Sequence, residues 1–347
     1  MFYIHQANCL SAQHTFRGVE INELCEPADK KLLVIEPSYE GIPPGMLRRM
    51  GKAVRIGVGT AMAMFQNNST PDGIIIGTAN GGKEDCVRFL NQIIEYDEGL
   101  LTPLNFVQSS PNAVPAQIGL LTKNLAYNIT HVHLGLAFEF AMIDADMMLN
   151  ENPLNGYLLG AVDDISDPNY YLDEKGGWNK QEDISNKKLY ESITGGSIAG
   201  EGATMFLVNG NETGSIARVC AVDTLHHEDQ FIVKEKLHDF IERYLPEGEQ
   251  IDLFLTGENG DIRLSKYYAS CESLIKDDVT IARFKHMSGE YPTASAMGLW
   301  LCCDILKNQY IPDHMIKNEV ARTSYKNILM YNNYKGHQHS FILVSNQ

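Results

Sequence analysis

Short apolar runs alternate with amphipathic stretches along most of the chain, as in proteins that interleave strands with helices. Buried strands are predicted at 72–78, 129–134, 156–162, 251–255 and 339–344. Helices are predicted at 43–66, 83–96, 116–125, 136–150, 229–244, 264–274 and 291–309. The two runs 203–208 and 216–222 predict a hairpin.

This alternation predicts an α/β protein whose mostly parallel sheets are covered by helices on both faces. A polar stretch from 163 to 189 separates two runs of the pattern, and no Pro- or Gly-rich linker is visible. We therefore predict two similar halves, 1–205 and 206–347, packed as one unit. With 347 residues, the chain is long enough for a sizeable core.

Charge and composition exclude several classes of protein. A net charge of −16 argues against a nucleic-acid binder, and also against the main docking surface for an acidic carrier protein. The 7 cysteines form no CxxC motif, which favours a reduced, cytoplasmic protein. The N-terminus lacks the features of a signal peptide, and no apolar run is long enough for a membrane span.

Six segments, in order between about 70 and 345, carry a family resemblance. They are Ile74–Thr78 with Gly81-Gly82, Ser109–Asn112, Asn128–Thr130 leading to Ala141, Gly160–Asp164, Gly200–Ala203, and Lys285 before Gly289. Together they resemble the β-ketoacyl synthases (ketosynthases) of the thiolase superfamily. The resemblance implies a thiolase-like fold, in which two similar βαβ halves form α-β-α-β-α layers.

The three catalytic positions of that family are all replaced. Gly135, Thr256 and Glu290 stand where the resemblance places a nucleophilic Cys and two His. Gly135 has no side chain to form a thioester, and Thr256 has no cationic form. A carboxylate at Glu290 would oppose developing negative charge unless it is protonated or paired. Lys285 is a candidate partner for Glu290 or for Glu139.

The C-terminal glycine-rich turn of the family is also degenerate, since within 332–337 only Gly336 is in register. The resemblance, with its triad replaced, implies a non-catalytic subunit of the chain-length-factor type. Such a subunit pairs with an active β-ketoacyl-ACP synthase in fatty acid or polyketide-type (polyene) biosynthesis, and meets the acyl carrier protein only indirectly. In its small size the chain resembles the divergent ketosynthase-like subunits of aryl polyene and flexirubin-type clusters, which is the pathway that the resemblance implies.

Other functions remain open at the level of sequence. One is a thiolase-fold enzyme with altered chemistry, which would hydrolyse or transfer acyl thioesters with His133, Thr256 or Glu290 and no Cys nucleophile. Another is a homodimer that binds acyl chains or acyl carrier protein. A heterodimer and a homodimer would use the same family interface. The methionines 142, 147 and 148 are either tunnel-lining residues or ordinary core.

We predict no metal and no cofactor. His131 and His133 would face one side of a strand, but nothing in their spacing brings them to His226 and His227 or to His337 and His339. Glu201 is interpreted as part of a structural turn. We interpret Asp144 and Asp146 as a solvated or interface face, and 80–83 as a turn too short for a phosphate loop.

Overall fold

The computed structural model describes residues 2–65, 70–318, 320–322 and 324–346. The strands are β1 (Phe2–Leu10), β2 (Lys31–Leu32), β3 (Gly73–Thr78), β4 (Tyr127–Val132), β5 (Gly156–Asp163), β6 (Ala199–Gly200), β7 (Gly202–Asn209), β8 (Ala217–His226), β9 (Leu253–Thr256), β10 (Thr280–Arg283), β11 (Ile316–Asn318), β12 (Asn327–Tyr334) and β13 (Gln338–Ser345). The α-helices are α1 (Pro44–Leu47), α2 (Lys52–Met62), α3 (Lys83–Glu95), α4 (Pro103–Gln108), α5 (Ala113–Thr122), α6 (Ala137–Glu151), α7 (Asp167–Lys175), α8 (Gln230–Tyr244), α9 (Ser265–Glu272), α10 (Lys285–Ser288) and α11 (Ser295–Asn308).

Two halves of the main sheet have the same topology. The first runs β4-β3-β5-β7-β1 and the second β10-β9-β12-β13-β8, with β11 added outside β10. In each half the first three strands are mutually parallel, and the last two join antiparallel. The halves meet where β1 pairs with β8 over Phe2–Ile4. The chain therefore repeats one fold twice, as the sequence pattern predicted.

Helices lie on both faces of these strands. The apolar helix α6 contacts β3, β4 and β5 of the first half and β8 of the second, while α11 contacts β1 and β7 as well as β8 and β12. The first half is covered on its other face by α2 and α5, and α8 and α9 pack on the second half. This arrangement gives the predicted α-β-α-β-α layers, with α6 and α11 in the middle.

Two predictions about strand pairing are wrong. The runs at 203–208 and 216–222 do form β7 and β8, but they make no hairpin, because β1 lies between them and pairs with both. The main sheet is mixed rather than mostly parallel, since each half has two antiparallel junctions. A local apolar pattern identifies a strand but cannot show that a distant N-terminal strand inserts beside it.

Element boundaries also differ from the prediction. The helix predicted at 43–66 is divided into α1 and α2 around Met50 and Gly51, and its last residue lies outside the described residues. The sequence did not predict strands β1, β10 and β12. Strand β12 ends in Asn332-Asn333-Tyr334, a polar sequence that resembles a loop, yet all three residues are buried and pair with β13. Because β7 extends to Asn209, we propose the division between the halves at 210–216 rather than after 205.

Candidate functional site

The replaced catalytic positions lie at the carboxyl ends of strands. Gly135 is in the turn between β4 and α6, and Thr256 is the last residue of β9. Lys285 begins α10 directly after β10, and Glu290 follows the end of that helix. Parallel strands bring their carboxyl ends to one edge, which is where α/β proteins build their sites. The fold thus gathers segments that are far apart in sequence.

Tyr334 occupies the space beside Gly135 where a side chain would extend. A Cβ atom placed on Gly135 would lie 2.2 Å from the Cβ and 2.4 Å from the Cγ of Tyr334. Real Cβ atoms do not approach neighbours this closely, so no larger residue fits without movement of β12. The tyrosine itself is buried. Position 135 therefore lacks a nucleophile and also the room for one.

The backbone amide of Gly135 is also taken. It donates a hydrogen bond of 2.7 Å to Oε1 of Gln338, the first residue of β13. A free N–H at the start of a helix could stabilise an oxyanion during acyl transfer. Here a neutral side-chain oxygen already binds that amide, so position 135 presents neither a nucleophile nor a free amide.

Lys285 and Glu290 form a buried ion pair. The Lys285 ammonium lies 2.7 Å from each carboxylate oxygen of Glu290 and contacts the backbone oxygen of Asn333 at 3.5 Å. Asn259 donates a further 2.6 Å hydrogen bond to Glu290. Of the two partners considered for Lys285, Glu290 is the one it binds. The positive charge offsets the carboxylate, as a buried charge requires.

Glu139 is buried without such a partner. Neither of its carboxylate oxygens makes a hydrogen bond of good geometry within the described ranges. Burial raises the pKa of Glu139, and the nearby hydroxyls of Ser295 and Ser340 and the charge of Lys285 only partly oppose this. The neutral acid is therefore the form that the core favours.

Thr256 is enclosed at the carboxyl end of β9, close to the Lys285–Glu290 ion pair. Its side chain is fully buried, and no described residue forms a hydrogen bond with its hydroxyl. A Cβ atom on the next residue, Gly257, would lie 2.3 Å from Asn332 Oδ1 and 3.2 Å from Lys285 Cε. The backbone after Thr256 is thus pressed against β12 and the Lys285 stem, which holds the hydroxyl away from solvent.

His133 lies apart from the ion pair. Its ring packs edge-on against Phe140, with centroids 4.9 Å apart, and its Nδ1 has no partner among the described residues. Burial, with a smaller effect from His226, lowers the pKa of His133. A partly buried imidazole with a lowered pKa and no acidic partner is poorly placed to hold a proton during catalysis.

The other histidines have local partners. His131 contacts Asp144 at 3.0 Å, and Tyr127 donates to the same carboxylate. The rings of His226 and His337 stack 6.2 Å apart, which their sequence spacing did not predict. In the part of the chain that is described, only His238, Asp239 and Glu242 bring three ligand-type atoms together, on an exposed face of α8.

Glu201 joins three segments of the first half. Its carboxylate accepts hydrogen bonds of 2.9 Å from the backbone amides of Val34 and Ile165, and it forms a 2.5 Å ion pair with Lys52. These contacts are those of a structural residue, as interpreted from the sequence.

The methionines of α6 face different surroundings: Met142 is in the central core, Met148 is partly buried beside it and Met147 is exposed.

A cavity of about 50 Å³ opens above the ion pair. Glu290, Asn259 and Tyr334 line it, together with Asp164 and Lys335 from neighbouring segments. Nothing in the sequence singles out Tyr334 or Gln338, because the residues around them indicate only a degenerate turn. Asp164 was visible as the second residue of an acidic turn after β5, but its place in this cavity was not predicted.

Comparison with known proteins supports the fold. No protein-family profile and no curated protein matches the sequence. Solved structures match over the whole chain: an ishigamide ketosynthase/chain length factor has a TM-score of 0.80 at 14% identity and is covered over 99% of its length. A β-ketoacyl synthase from Burkholderia phymatum STM815 has a TM-score of 0.77 at 14% identity, also with 99% covered. A ketosynthase in complex with its chain length factor from Xenorhabdus doucetiae has a TM-score of 0.75 at 10% identity, with 98% covered.

In all three comparisons the alignment covers 100% of this chain. The chain therefore has the thiolase-like fold of the ketosynthases, as the order of its motifs predicted. None of the described helices has the length and apolar character needed to cross a bilayer.

Proposed function

We propose that this chain is a non-catalytic, ketosynthase-like subunit of the chain-length-factor type. It would pair with an active β-ketoacyl-ACP synthase in fatty acid or polyketide-type biosynthesis. The observation that carries the proposal is the packing of Tyr334 into the space beside Gly135. A condensing enzyme must hold its acyl chain on a nucleophile at this turn. Here the turn supplies neither the nucleophile nor the space.

A partner-binding surface is available next to this turn. Strand β4 is at the end of the main sheet and pairs only with β3, so one side of its backbone is unpaired among the described strands. Such an edge readily pairs with another chain. Val132 and Leu134, at the end of β4, are 56% and 57% exposed. Apolar side chains at such an edge favour a covered interface.

Helices α3, α4 and α5 of the same half also carry exposed apolar residues. Asn112, before α5, accepts a 2.7 Å hydrogen bond from Thr130 of β4, and the rings of Phe89 and Phe106 join α3 to α4 with centroids 5.3 Å apart. The exposed large apolar residues of α3, α4 and α5 are Leu90, Ile94, Leu104, Phe106, Val107 and Leu120. A stable interface buries about 800 Å² on each partner. Apolar residues on β4 and three helices fit a surface of that extent.

An active ketosynthase is the partner that this chain would need. Two copies of the chain would carry two blocked sites, so a homodimer would leave the condensation without a thiolate. One of the similar structures is a ketosynthase in complex with its chain length factor. The net charge of −16 disfavours direct docking of an acidic carrier protein, so we expect the partner to provide that surface. We place the complex in the cytoplasm, and an aryl polyene or flexirubin-type cluster is the pathway we propose.

The test is to recover the tagged chain from its native host and weigh the complex by native mass spectrometry. We expect a 1:1 complex with a ketosynthase that retains its Cys and two His. A homodimer without ketosynthase, recovered from cells that express one, would contradict the proposal.

A second candidate function rests on the access of Glu290 to the cavity. A thiolase-fold enzyme with altered chemistry would use this carboxylate to hydrolyse or transfer acyl thioesters. The isolated chain would then turn over a thioester substrate, and both Glu290→Gln and His133→Ala would abolish that turnover. Because Lys285 and Asn259 already bind Glu290, and His133 does not line the cavity, we expect no turnover.

A further inference from the structure

The cavity above the ion pair is lined by more acids than bases. Its four acids are Asp164, Asp173, Asp261 and Glu290, and its one lining cation is Lys335. Three of these acids have partners: Asp173 binds Lys335 at 2.5 Å, Asp261 binds Arg263 at 2.5 Å, and Glu290 binds Lys285 at 2.7 Å. The fourth, Asp164, is left over, so the lining has an uncompensated acid.

Asp164 lacks a hydrogen-bond donor from any other described residue. The residue is only 6% exposed, and the one hydrogen bond that acts on its carboxyl comes from its own backbone N–H. The charges of Lys52 and Arg55 act on Asp164, but each cation binds another carboxylate, Lys52 that of Glu201 at 2.5 Å and Arg55 that of Glu36 at 2.6 Å. A buried carboxyl without a partner is costly. Since Asp164 faces the cavity, a group inside the cavity is what would complete it.

Another polar group of the cavity is also without a partner. The amide nitrogen Nδ2 of Asn169 is buried and donates to no described residue. Tyr291 and Tyr334 also line the cavity. The cavity thus adjoins an unpaired carboxyl and an unpaired amide donor. A ligand with both donors and an acceptor would satisfy them together.

The electrostatic potential at Asp164 favours a cation. Burial, and then the charges of Glu201 and Asp163, raise the pKa of Asp164 to about 7. The same two carboxylates that disfavour a negative charge at Asp164 attract a positive charge placed beside it. The cavity mouth already holds an ammonium of this kind, since Lys335 lies between Asp173 and the rings of Trp178 and Tyr334.

We propose that this cavity binds a small primary amine that carries a neighbouring hydroxyl or carbonyl group. The ammonium would donate to Asp164, and the neighbouring oxygen would accept from Asn169 Nδ2. A volume of about 50 Å³ would otherwise hold roughly three to five water molecules, so the bound part of the ligand has only a few non-hydrogen atoms. This site goes beyond the pairing function and does not depend on it.

The simplest probe is 2-aminoethanol, titrated calorimetrically into the isolated full chain at pH 8. Ethane-1,2-diol removes the charge and ethylamine removes the acceptor oxygen. We expect the diol to bind at least tenfold more weakly than 2-aminoethanol, because it lacks the charge-assisted hydrogen bond. Ethylamine should bind more weakly than 2-aminoethanol but by a smaller factor than the diol. Asn169→Leu should reduce the affinity for 2-aminoethanol to the level of ethylamine.

The decisive variant is Asp164→Asn, which keeps the shape and removes the charge. This variant should weaken 2-aminoethanol binding at least tenfold. The control is Asp223→Asn, which should not weaken it; Asp223 lies on β8 and is paired with Lys236. Binding to the unmodified chain should strengthen from pH 6 to pH 8 as Asp164 ionises, and Asp164→Asn should lose that dependence. Matching thermal unfolding curves would show that the variant is folded.

Equal binding of the diol and the amine, or unchanged amine binding in Asp164→Asn, would overturn the proposal. The proposal would also be overturned if 2-aminoethanol saturated the site only at concentrations at which potassium chloride gives the same calorimetric signal, because such binding is nonspecific ion binding. The chain used is the isolated protein, so the result does not depend on whether a ketosynthase is captured. If 2-aminoethanol binds and no ketosynthase is captured, the amine site stands without the pairing function. If a ketosynthase is captured and 2-aminoethanol does not bind, the pairing function stands without the amine site.

Discussion

Gly135 and Tyr334 share a space that holds only one side chain. The glycine has no Cβ, and the Cβ and ring of Tyr334, on β12, occupy the space where that atom would lie. Loss of the catalytic side chain and burial of the tyrosine are therefore linked by packing. A single substitution back to a nucleophile at 135 would not restore a site, because the tyrosine would still occupy it.

We predict that Gly135→Ala destabilises the protein by about 1–3 kcal/mol, the usual cost of overpacking a filled core. The added methyl group would lie 2.2 Å from Tyr334 Cβ, which moves only with the backbone of β12. Urea unfolding measures the change. Gly156→Ala is the matched control, because a Cβ there meets nothing closer than Val208 O at 3.9 Å. Equal stabilities of the two variants would refute the packing argument.

At the ion pair, we predict that Glu290→Gln lowers the free energy of unfolding by about 3 kcal/mol, because it leaves the fully buried ammonium of Lys285 uncompensated. Lys285→Met combined with Glu290→Gln should cost less than the sum of the two single changes. The exposed pair of Arg17 and Glu40 is the control, and Glu40→Gln should change stability by less than about 0.5 kcal/mol. Additive effects at the buried pair would be the contrary result.

At the scale of elements, the short helix α10 is held by a chain of hydrogen bonds. His314 Nε2 donates to the backbone oxygen of Ile21 at 2.7 Å, so its Nδ1 accepts the 2.8 Å bond from His286 Nε2. His286 Nδ1 is then left to accept the hydroxyl of Tyr190 at 3.0 Å. One neutral tautomer of each histidine satisfies every bond. The chain fixes α10, and with it Lys285, against the first half.

This chain of bonds predicts a loss of stability in acid. Burial, with smaller effects from His314 and Arg283, lowers the pKa of His286 to about 3. Between about pH 6.5 and pH 3 the unfolded chain therefore binds a proton there that the folded chain does not, and stability falls as the pH falls. The loss approaches about 1.4 kcal/mol per pH unit below the unfolded pKa.

Urea unfolding between pH 7 and pH 5 measures this slope. His286→Gln should flatten it, while His14→Gln, a change at an exposed position, should not. Asp164 has the opposite effect on stability, because its pKa of about 7 means that the folded chain binds a proton there at a higher pH than the unfolded chain does. The difference in slope between the variants is therefore the quantity to compare. Identical slopes for the unmodified chain and His286→Gln would show that the buried imidazole is not the cause.

At the scale of the whole molecule, the proposed interface at the β4 edge predicts a separation of binding from stability. Val132→Glu and Leu134→Glu should each weaken ketosynthase capture at least tenfold, because each would bury an unpaired charge in the interface. The isolated chain should stay within about 0.5 kcal/mol of its original stability, since both side chains face solvent.

The matched control for this pair is Phe231→Glu on α8, a residue that is 68% exposed on the other half. Quantitative co-purification of the ketosynthase with each variant gives the measurement. Undiminished capture by both β4 variants would mean that the partner binds elsewhere.

The sequence by itself determined the repeated strand and helix pattern, the order of the family-like segments and the loss of the three catalytic side chains. These features are local, because an apolar period or a missing thiol is visible in a few adjacent residues. The pairing of Lys285 with Glu290 was also within reach, since only five positions separate them.

Only the tertiary structure decided what replaces the lost chemistry. Tyr334 and Gln338 reach Gly135 because β12 and β13 lie against the turn before α6, and no local pattern in 332–338 indicates that contact. The insertion of β1 between β7 and β8, and the unpaired Asp164 in its cavity, are likewise products of long-range packing. Which side chains share a space depends on how distant segments meet, and residue identity alone does not fix that.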